Sequence, residues 1–135
     1  MTAPLNYSKS YINEQNLITD FMQTVQLNYN LDTNLTRLAN VHQRDASGFN
    51  ALYWAISHNN IHNVKLLLAY GSTMDVSPTL NAPFCAIACN RIEMLRFFVN
   101  KGIDINIQRR GKTLLEFAKG LQRSEIIVYL KNINE

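Results

Sequence analysis

The chain has 135 residues, of which 47% are hydrophobic and 17% charged, which indicates one folded domain rather than a disordered chain. Its net charge of +3 is modest and the basic excess lies in residues 91–135, so charge alone does not indicate a nucleic-acid binder. No apolar run approaches the roughly 20 residues of a membrane span, and residues 1–12 lack the apolar core of a secretory signal.

The N-terminal part of the chain predicts a flexible tail and then a pair of helices. We expect the tail at residues 1–12. A first helix is indicated by one apolar stripe at helical spacing, formed by Leu17, Ile18, Phe21, Met22 and Val25. Asp32 or Thr33 can cap a second, shorter helix with an apolar side made of Leu35, Leu38 and Ala39. We interpret residues 13–40 as a degenerate N-terminal cap.

The rest of the chain repeats itself with a period near 32 residues. Residues 66–76 align with residues 97–107, and both stretches hold three apolar residues, a glycine and then an alternating arm. Residues 45–55 align with residues 108–118 at twice that period, and residues 81–84 fall where the middle copy begins. Such a period is typical of stacked units that cannot bury their apolar faces alone.

Each copy predicts a turn, a short helix, a loop, a second helix and an extended arm. Gly71 and Gly102 stand where a helix needs a left-handed C-terminal residue, which glycine adopts without a Cβ penalty. Gly48 and Gly111 mark the turns. We expect the second copy to be one residue short before Asn90 and Arg91. The 17 asparagines of the chain suggest an AT-rich genome rather than a particular chemistry.

This pattern resembles the ankyrin repeat, whose consensus is D-x-x-G-x-T-P-L-H-x-A-A, then G-H, then V-V-x-L-L-L-x-x-G-A-D-V-N. The similarity covers residues 41–132. The first copy matches at Asp45, Gly48, Leu52, Ala55, Val64, Leu66, Leu67, Leu68 and Gly71. The second matches at Pro83, Ala88, Gly102, Asp104 and Asn106, and the third at Gly111, Thr113, Leu115, Ala118, Ile127 and Leu130.

The resemblance implies an all-α fold, an α-solenoid of about three ankyrin repeats plus an N-terminal capping helix pair, with short hairpin arms. We expect a single domain over residues 13–135. Its parts are the cap at 13–40, repeat 1 at 41–76, repeat 2 at 77–107 and a C-terminal capping repeat at 108–135. No copy keeps the histidine of T-P-L-H, which in the family ties repeats together by hydrogen bonds. We therefore predict a looser stack than a consensus array.

The resemblance also implies a non-catalytic protein that binds another protein through hairpin tips and the concave helix face. Carried over by position, the contact residues are Ala46, Ser47, Phe49, Ser57, His58, Pro78, Thr79, Asn81, Cys89, Arg109, Arg110, Lys112 and Leu121. An exposed aromatic ring at Phe49 would be a suitable binding anchor. Matching positions make Trp54 and Phe117 core residues. No cofactor, catalytic residue or metal is implied.

We expect a monomeric, cytoplasmic protein that does not contact a membrane. The chain resembles the short, divergent ankyrin-repeat proteins that intracellular bacteria with Asn-rich proteomes secrete as effectors. We therefore expect either an adaptor or inhibitor resident in its cell, or a secreted bacterial effector that acts in the host cytoplasm.

A basic patch offers an alternative function. Arg109, Arg110 and Lys112 share the variable positions of the third copy, and Lys119 and Arg123 follow one and two turns later. Such a patch suits an acidic peptide or a phosphorylated partner. Nucleic acid is a weaker alternative because no stacking aromatics interleave with the cations. A solvated capping face is the plain alternative.

An enzyme or enzyme subunit is the remaining alternative, and few residues support it. His58 and His62 have the spacing of zinc ligands, but no third ligand accompanies them, so we expect exposed loop histidines. Cys85 and Cys89 predict two reduced thiols, since a disulfide at this helical spacing is strained. Residues 111–113 resemble the end of a phosphate-binding loop, but Asn106 stands where that motif needs a glycine.

Overall fold

A computed structural model of the protein describes residues 21–133. Helix α1 occupies residues 21–26 at the start of this part, and α2 is Thr33–Leu38. Three helix pairs follow: α3 (Ala51–Ser57) with α4 (Ile61–Ala69), α5 (Ala82–Ala88) with α6 (Ile92–Asn100), and α7 (Leu114–Gly120) with α8 (Ser124–Ile133). The predicted tail at residues 1–12, and the predicted helical positions Leu17 and Ile18, lie outside the described residues.

Two short antiparallel hairpins separate the three pairs. The first joins β1 (Asp75–Ser77) to β2 (Leu80–Asn81), and its register is irregular within β1. The second joins β3 (Gln108–Arg109) to β4 (Lys112–Thr113) in regular register. Ahead of α3, a single bridge between Arg44 and Asn50 closes a third, smaller hairpin. The mostly helical fold with short hairpin arms agrees with the predicted class.

Side-chain caps fix where the helices begin. The amide oxygens of Asn50, Asn60 and Asn81 each accept a hydrogen bond from the backbone N–H three residues later. Thr113 and Glu116 form a reciprocal capping box at the start of α7. These caps satisfy backbone donors that the first turn of a helix leaves without partners.

A left-handed residue recurs in the loop between the two helices of every pair. Asn28, Asn59, Asn90 and Gln122 have φ angles of 65°, 59°, 57° and 58°. Asparagine tolerates this conformation better than most residues because its short side chain can hydrogen-bond locally. The N-terminal helices α1 and α2 therefore share a turn position with the three later pairs.

The predicted helix ends at Gly71 and Gly102 are confirmed, with φ angles of 93° and 95°. The second copy, predicted to be one residue short before Asn90, is short in its hairpin arm and not in the connection between its helices. All three pairs have connections of equal length, at residues 58–60, 89–91 and 121–123. The shorter segment is the hairpin arm at residues 70–81, compared with residues 101–113. This one-residue difference in arm length coincides with the irregular register of β1.

The first helices of the pairs form one layer, because α3 packs on α5 and α5 packs on α7. Each also packs on its own second helix, and α2 packs on α4. The continuous core includes Leu52, Ile56, Phe84, Ile87 and Phe98, all fully buried. Leu38 was predicted to face inward and is instead 51% exposed. None of the helices within residues 21–133 has the length and apolar character needed to cross a membrane.

Candidate functional site

Arginine side chains join the three hairpin tips into one row. The guanidinium group of Arg44 donates to the carbonyl of Gly48 in its own tip at 2.8 Å and to that of Asp75 in the next tip at 3.1 Å. From the third tip, Arg109 donates to the carbonyl of Thr79 at 2.8 Å. The tips therefore form a connected edge beside the layer of first helices.

Asp45 organises the first tip. Its Oδ1 atom accepts from the backbone N–H of Ser47 at 2.9 Å and of Phe49 at 3.1 Å. Its Oδ2 atom accepts from the indole of Trp54 at 2.8 Å and from the amide of Gln26 at 3.3 Å. Burial alone would raise the pKa of Asp45, but these four donors together hold it below its ordinary value.

We expect the Asp45→Asn variant to lose about 1–2 kcal/mol of stability at neutral pH, because it weakens several hydrogen bonds to a charged acceptor. A carboxyl with a lowered pKa in the folded state stabilises the fold above its unfolded pKa of 3.8, and this contribution disappears as the pH falls through the lower folded value. Urea unfolding at neutral pH and at about pH 3 tests this. The gap between wild type and variant should narrow in acid, and a gap independent of pH would contradict the assignment.

Four aromatic rings lie together beside the first tip. Phe49 stacks on Tyr53 with 3.8 Å between ring centroids, and Trp54 meets Tyr53 edge to face at 5.1 Å. His58 lies nearly parallel to Trp54 at 6.2 Å. All four side chains are partly exposed. Trp54, predicted to be a core residue, is partly buried and packs against the core. Phe117 is likewise only partly buried. We call Phe49, Tyr53, Trp54 and His58 the aromatic cluster.

A groove of about 310 Å³ separates the second and third tips. It brings together five of the predicted contact residues, Pro78, Thr79, Asn81, Arg109 and Arg110. Two of the five also have structural roles. Asn81 caps α5, and the guanidinium group of Arg109 lies 5.5 Å from the ring centroid of Phe117.

The other predicted contact residues lie along the same tips and helix ends. Leu121, which ends α7, is 39% exposed. Exposed side chains at the tips are Ala46, Ser47 and Lys112, and partly exposed ones at the ends of first helices are Ser57, His58 and Cys89.

The predicted basic patch is divided in the structure. Arg109 is engaged with Thr79 and Phe117, and Arg123 donates to backbone carbonyls of α5. Arg110, Lys112 and Lys119 are exposed. Three rather than five cations are thus presented to solvent.

The two histidines each contact a backbone carbonyl in the N-terminal part of the structure. Nε2 of His58 lies 2.8 Å from the carbonyl of Gln26, and Nε2 of His62 lies 2.8 Å from that of Leu31. The prediction of two exposed loop histidines is wrong, because His58 is partly buried and His62, although exposed, lies within α4. Within residues 21–133, no three His, Cys, Asp or Glu side chains are grouped as metal ligands.

Comparison with known proteins agrees with this architecture. The family model for the ankyrin repeat matches residues 47–78, which span α3, α4 and β1. The chain is also 33% identical, over 87 residues, to the ankyrin repeat domain-containing protein SAT10 of Stachybotrys chartarum. Both findings support an ankyrin-repeat protein. The aligned region is 63% of this chain but only 4% of the fungal protein. Ankyrin repeats generally mediate protein–protein interaction.

Two arginines form contacts between helix pairs that the sequence did not predict. Arg91 donates through Nε and Nη2 to the carbonyl of Ser57, at 3.1 and 2.8 Å. Arg123 donates to the carbonyls of Ile87 at 3.1 Å and Ala88 at 2.6 Å. Both arginines directly precede a second helix, 32 positions apart, and this shared register was the available signal. They connect adjacent pairs in a chain whose copies lack the consensus histidine.

Proposed function

We propose that this ankyrin-repeat chain is a non-catalytic module that binds a partner protein through its hairpin tips and the exposed sides of α3, α5 and α7. The aromatic cluster carries the proposal. Its rings are partly exposed and already packed against one another, so they lose little conformational entropy on binding. Tyrosine and tryptophan in such settings commonly dominate binding energy.

The proposed repeat organisation is three repeats and an N-terminal cap. The cap would be residues 13–40, followed by repeats at 41–76, 77–107 and 108–135 within one domain. The recurring left-handed loop residue supports a cap built like a repeat, since Asn28 has the same turn position as Asn59, Asn90 and Gln122.

An acidic segment is the partner chemistry that the exposed cations favour. Arg110, Lys112 and Lys119 place positive charge at the third tip and its helix, at the end of the groove. The second candidate, a nucleic acid, draws on the same cations, but Phe117, the ring between Lys112 and Lys119 in the sequence, is partly buried with the guanidinium group of Arg109 5.5 Å from its centroid. A steep fall of affinity with salt would favour that second candidate.

For the cellular role we propose a monomeric adaptor that acts in the cytoplasm without a cofactor. A secreted bacterial effector acting in a host cytoplasm is the alternative, supported by the divergence of the copies. A translocation assay with a reporter fused to the chain separates the two roles.

We predict that two substitutions in the proposed binding face strongly weaken the affinity for a partner. The Phe49→Ala, Arg110→Ala double variant should bind a partner captured by wild type at least about tenfold more weakly, because truncating a central aromatic and a guanidinium commonly costs over about 1 kcal/mol each. Titration calorimetry with the purified partner measures the change.

A matched control comes from the opposite side of the pairs. Ile61 and Lys65 of α4 are an exposed apolar and cationic pair on a second helix. Replacing both with alanine should leave the dissociation constant unchanged. Equal affinities for wild type and the Phe49, Arg110 variant would remove the proposed face, and weaker binding only in the control would move it to the second helices.

A further inference from the structure

Arg110 occupies a backbone position that does not suit arginine. The hairpin of β3 and β4 pairs Arg109 with Lys112, so its turn consists of Arg110 and Gly111, whose φ angles are 52° and 78°. Two-residue turns with positive φ angles favour asparagine or glycine at the first position. The other left-handed positions within residues 21–133 hold glycine, asparagine or glutamine. The turn itself therefore gives no reason for an arginine.

The side chain of Arg110 is also available to another molecule. It is exposed, and within residues 21–133 it makes no hydrogen bond, ion pair or ring contact. The adjacent Arg109, by contrast, donates to the carbonyl of Thr79 at 2.8 Å. Of these two neighbouring guanidinium groups, one connects the second and third tips and the other faces solvent.

A carboxylate lies in the same groove. The groove of about 310 Å³ between the second and third tips is lined by Asp75 as well as by Arg110. Asp75 is exposed, and its carboxylate forms no ion pair in the part of the chain that the structure describes. Its backbone carbonyl accepts from Arg44 at 3.1 Å and from the amide of Asn50 at 3.4 Å, which fixes the backbone that carries the carboxylate. The groove thus presents one charge of each sign to solvent.

We propose that Arg110 and Asp75 together recognise an extended segment of the partner that carries an acidic side chain close to a basic one. The guanidinium fork of Arg110 donates two parallel hydrogen bonds to an oxyanion, borne by a carboxylate or by a phosphorylated side chain. Asp75 binds the basic side chain and repels a segment that carries acidic groups alone, or a polyanion such as nucleic acid. This inference rests on the proposed function, because it names the partner chemistry at the same tips.

The first test measures stability and needs no partner. Arg110→Asn should raise the melting temperature of the full chain by about 2–4 °C, because asparagine suits the left-handed turn position. Arg110→Gln removes the charge without the same turn preference and should raise it less, whereas Arg110→Lys should leave it unchanged. A melting temperature of Arg110→Asn at or below that of wild type would show that the arginine stabilises the turn, and would overturn its assignment to recognition.

The second test titrates the isotope-labelled full chain with blocked synthetic peptides and follows its backbone amides by NMR. Each mixed peptide carries one glutamate or one phosphoserine, and one lysine, separated by zero to three glycines. The reference peptides carry two glutamates or two lysines at the same spacings. We expect one spacing of the mixed peptide to bind several-fold more tightly than either reference and to shift the amides of Asp75 and Arg110. The glutamate and phosphoserine arms show which oxyanion is preferred. Equal affinities for mixed and reference peptides at every spacing would overturn the inference.

Two variants assign the two charges. Arg110→Lys keeps the charge without the fork and should weaken binding of the mixed peptide several-fold. Asp75→Asn should also weaken that peptide, but it should strengthen binding of the two-glutamate reference and of a short oligothymidylate. Arg37→Lys and Glu125→Gln are matched controls, exposed on α2 and α8, and should change none of these affinities. An Asp75→Asn variant that treats every probe as wild type does would contradict selection by the carboxylate.

The outcome for this site can be separated from that for the whole binding face. If the Phe49→Ala, Arg110→Ala variant loses affinity for a captured partner while the peptides show no preference for mixed charge, the proposed function holds and the two-charge site is wrong. If that variant keeps wild-type affinity, the proposed face itself fails.

Discussion

Replacing Asn63 with leucine is expected to lower the free energy of unfolding by about 2–4 kcal/mol. The Asn63 side chain is fully buried, and its Oδ1 atom accepts from the N–H of Leu31 at 2.8 Å. Its Nδ2 group donates to the carbonyl of Tyr29 at 2.9 Å. Leucine has the branching of asparagine but leaves both backbone groups without partners, and each unsatisfied buried group costs about 1–3 kcal/mol.

The loss should be local to one end of the stack. In a repeat protein each unit contacts only its neighbours, so weakening one interface releases the terminal unit first. Hydrogen exchange should therefore show lost protection in α1 and α2 while α5 remains protected. Asn100→Leu is the matched control, because Asn100 is also helical but exposed. If both variants unfold at the same urea concentration, Asn63 does not hold the N-terminal pair.

Asn63 also illustrates which parts of the fold could be predicted from sequence. The glycines and the apolar triplets specify helix ends and buried faces by local rules, so the helix pairs followed directly from their spacing. The asparagines carried no such pattern and suggested only genome composition. The structure assigns them to caps, left-handed loop positions and one buried contact. The buried contact of Asn63 depends on backbone groups about 30 residues away, which no local pattern reveals.

The candidate site was predictable by position but not by environment. Alignment with the family placed Phe49 at a hairpin tip, and the structure places it there. Its stacking on Tyr53 could not be foreseen, because the partner ring sits in the following helix. Similarly, the charge of Arg123 suggested an exposed patch. Only the packing of α8 against α7 brings its guanidinium group to the end of α5.

Replacing Arg123 with methionine is expected to cost about 2–3 kcal/mol, because a charged donor to two carbonyls is lost. Those carbonyls, of Ile87 and Ala88, end α5, where the helix dipole favours a cation. Methionine keeps the length and the apolar stem of the side chain, so the loss reports the guanidinium group rather than packing. Arg123→Lys should recover part of the stability, since it keeps the charge with fewer fixed donors.

The control for Arg123 is an arginine whose ion pair is exposed. Arg96 pairs with Glu93 at 3.1 Å on the surface, and surface pairs contribute about 0–1 kcal/mol. Urea unfolding of Arg96→Met should therefore stay within about 1 kcal/mol of wild type. If Arg123→Met is no less stable than Arg96→Met, the arginine does not hold the last helix pair to α5. A large loss for Arg123→Met alone would make the guanidinium group the link that this chain uses between its second and third pairs.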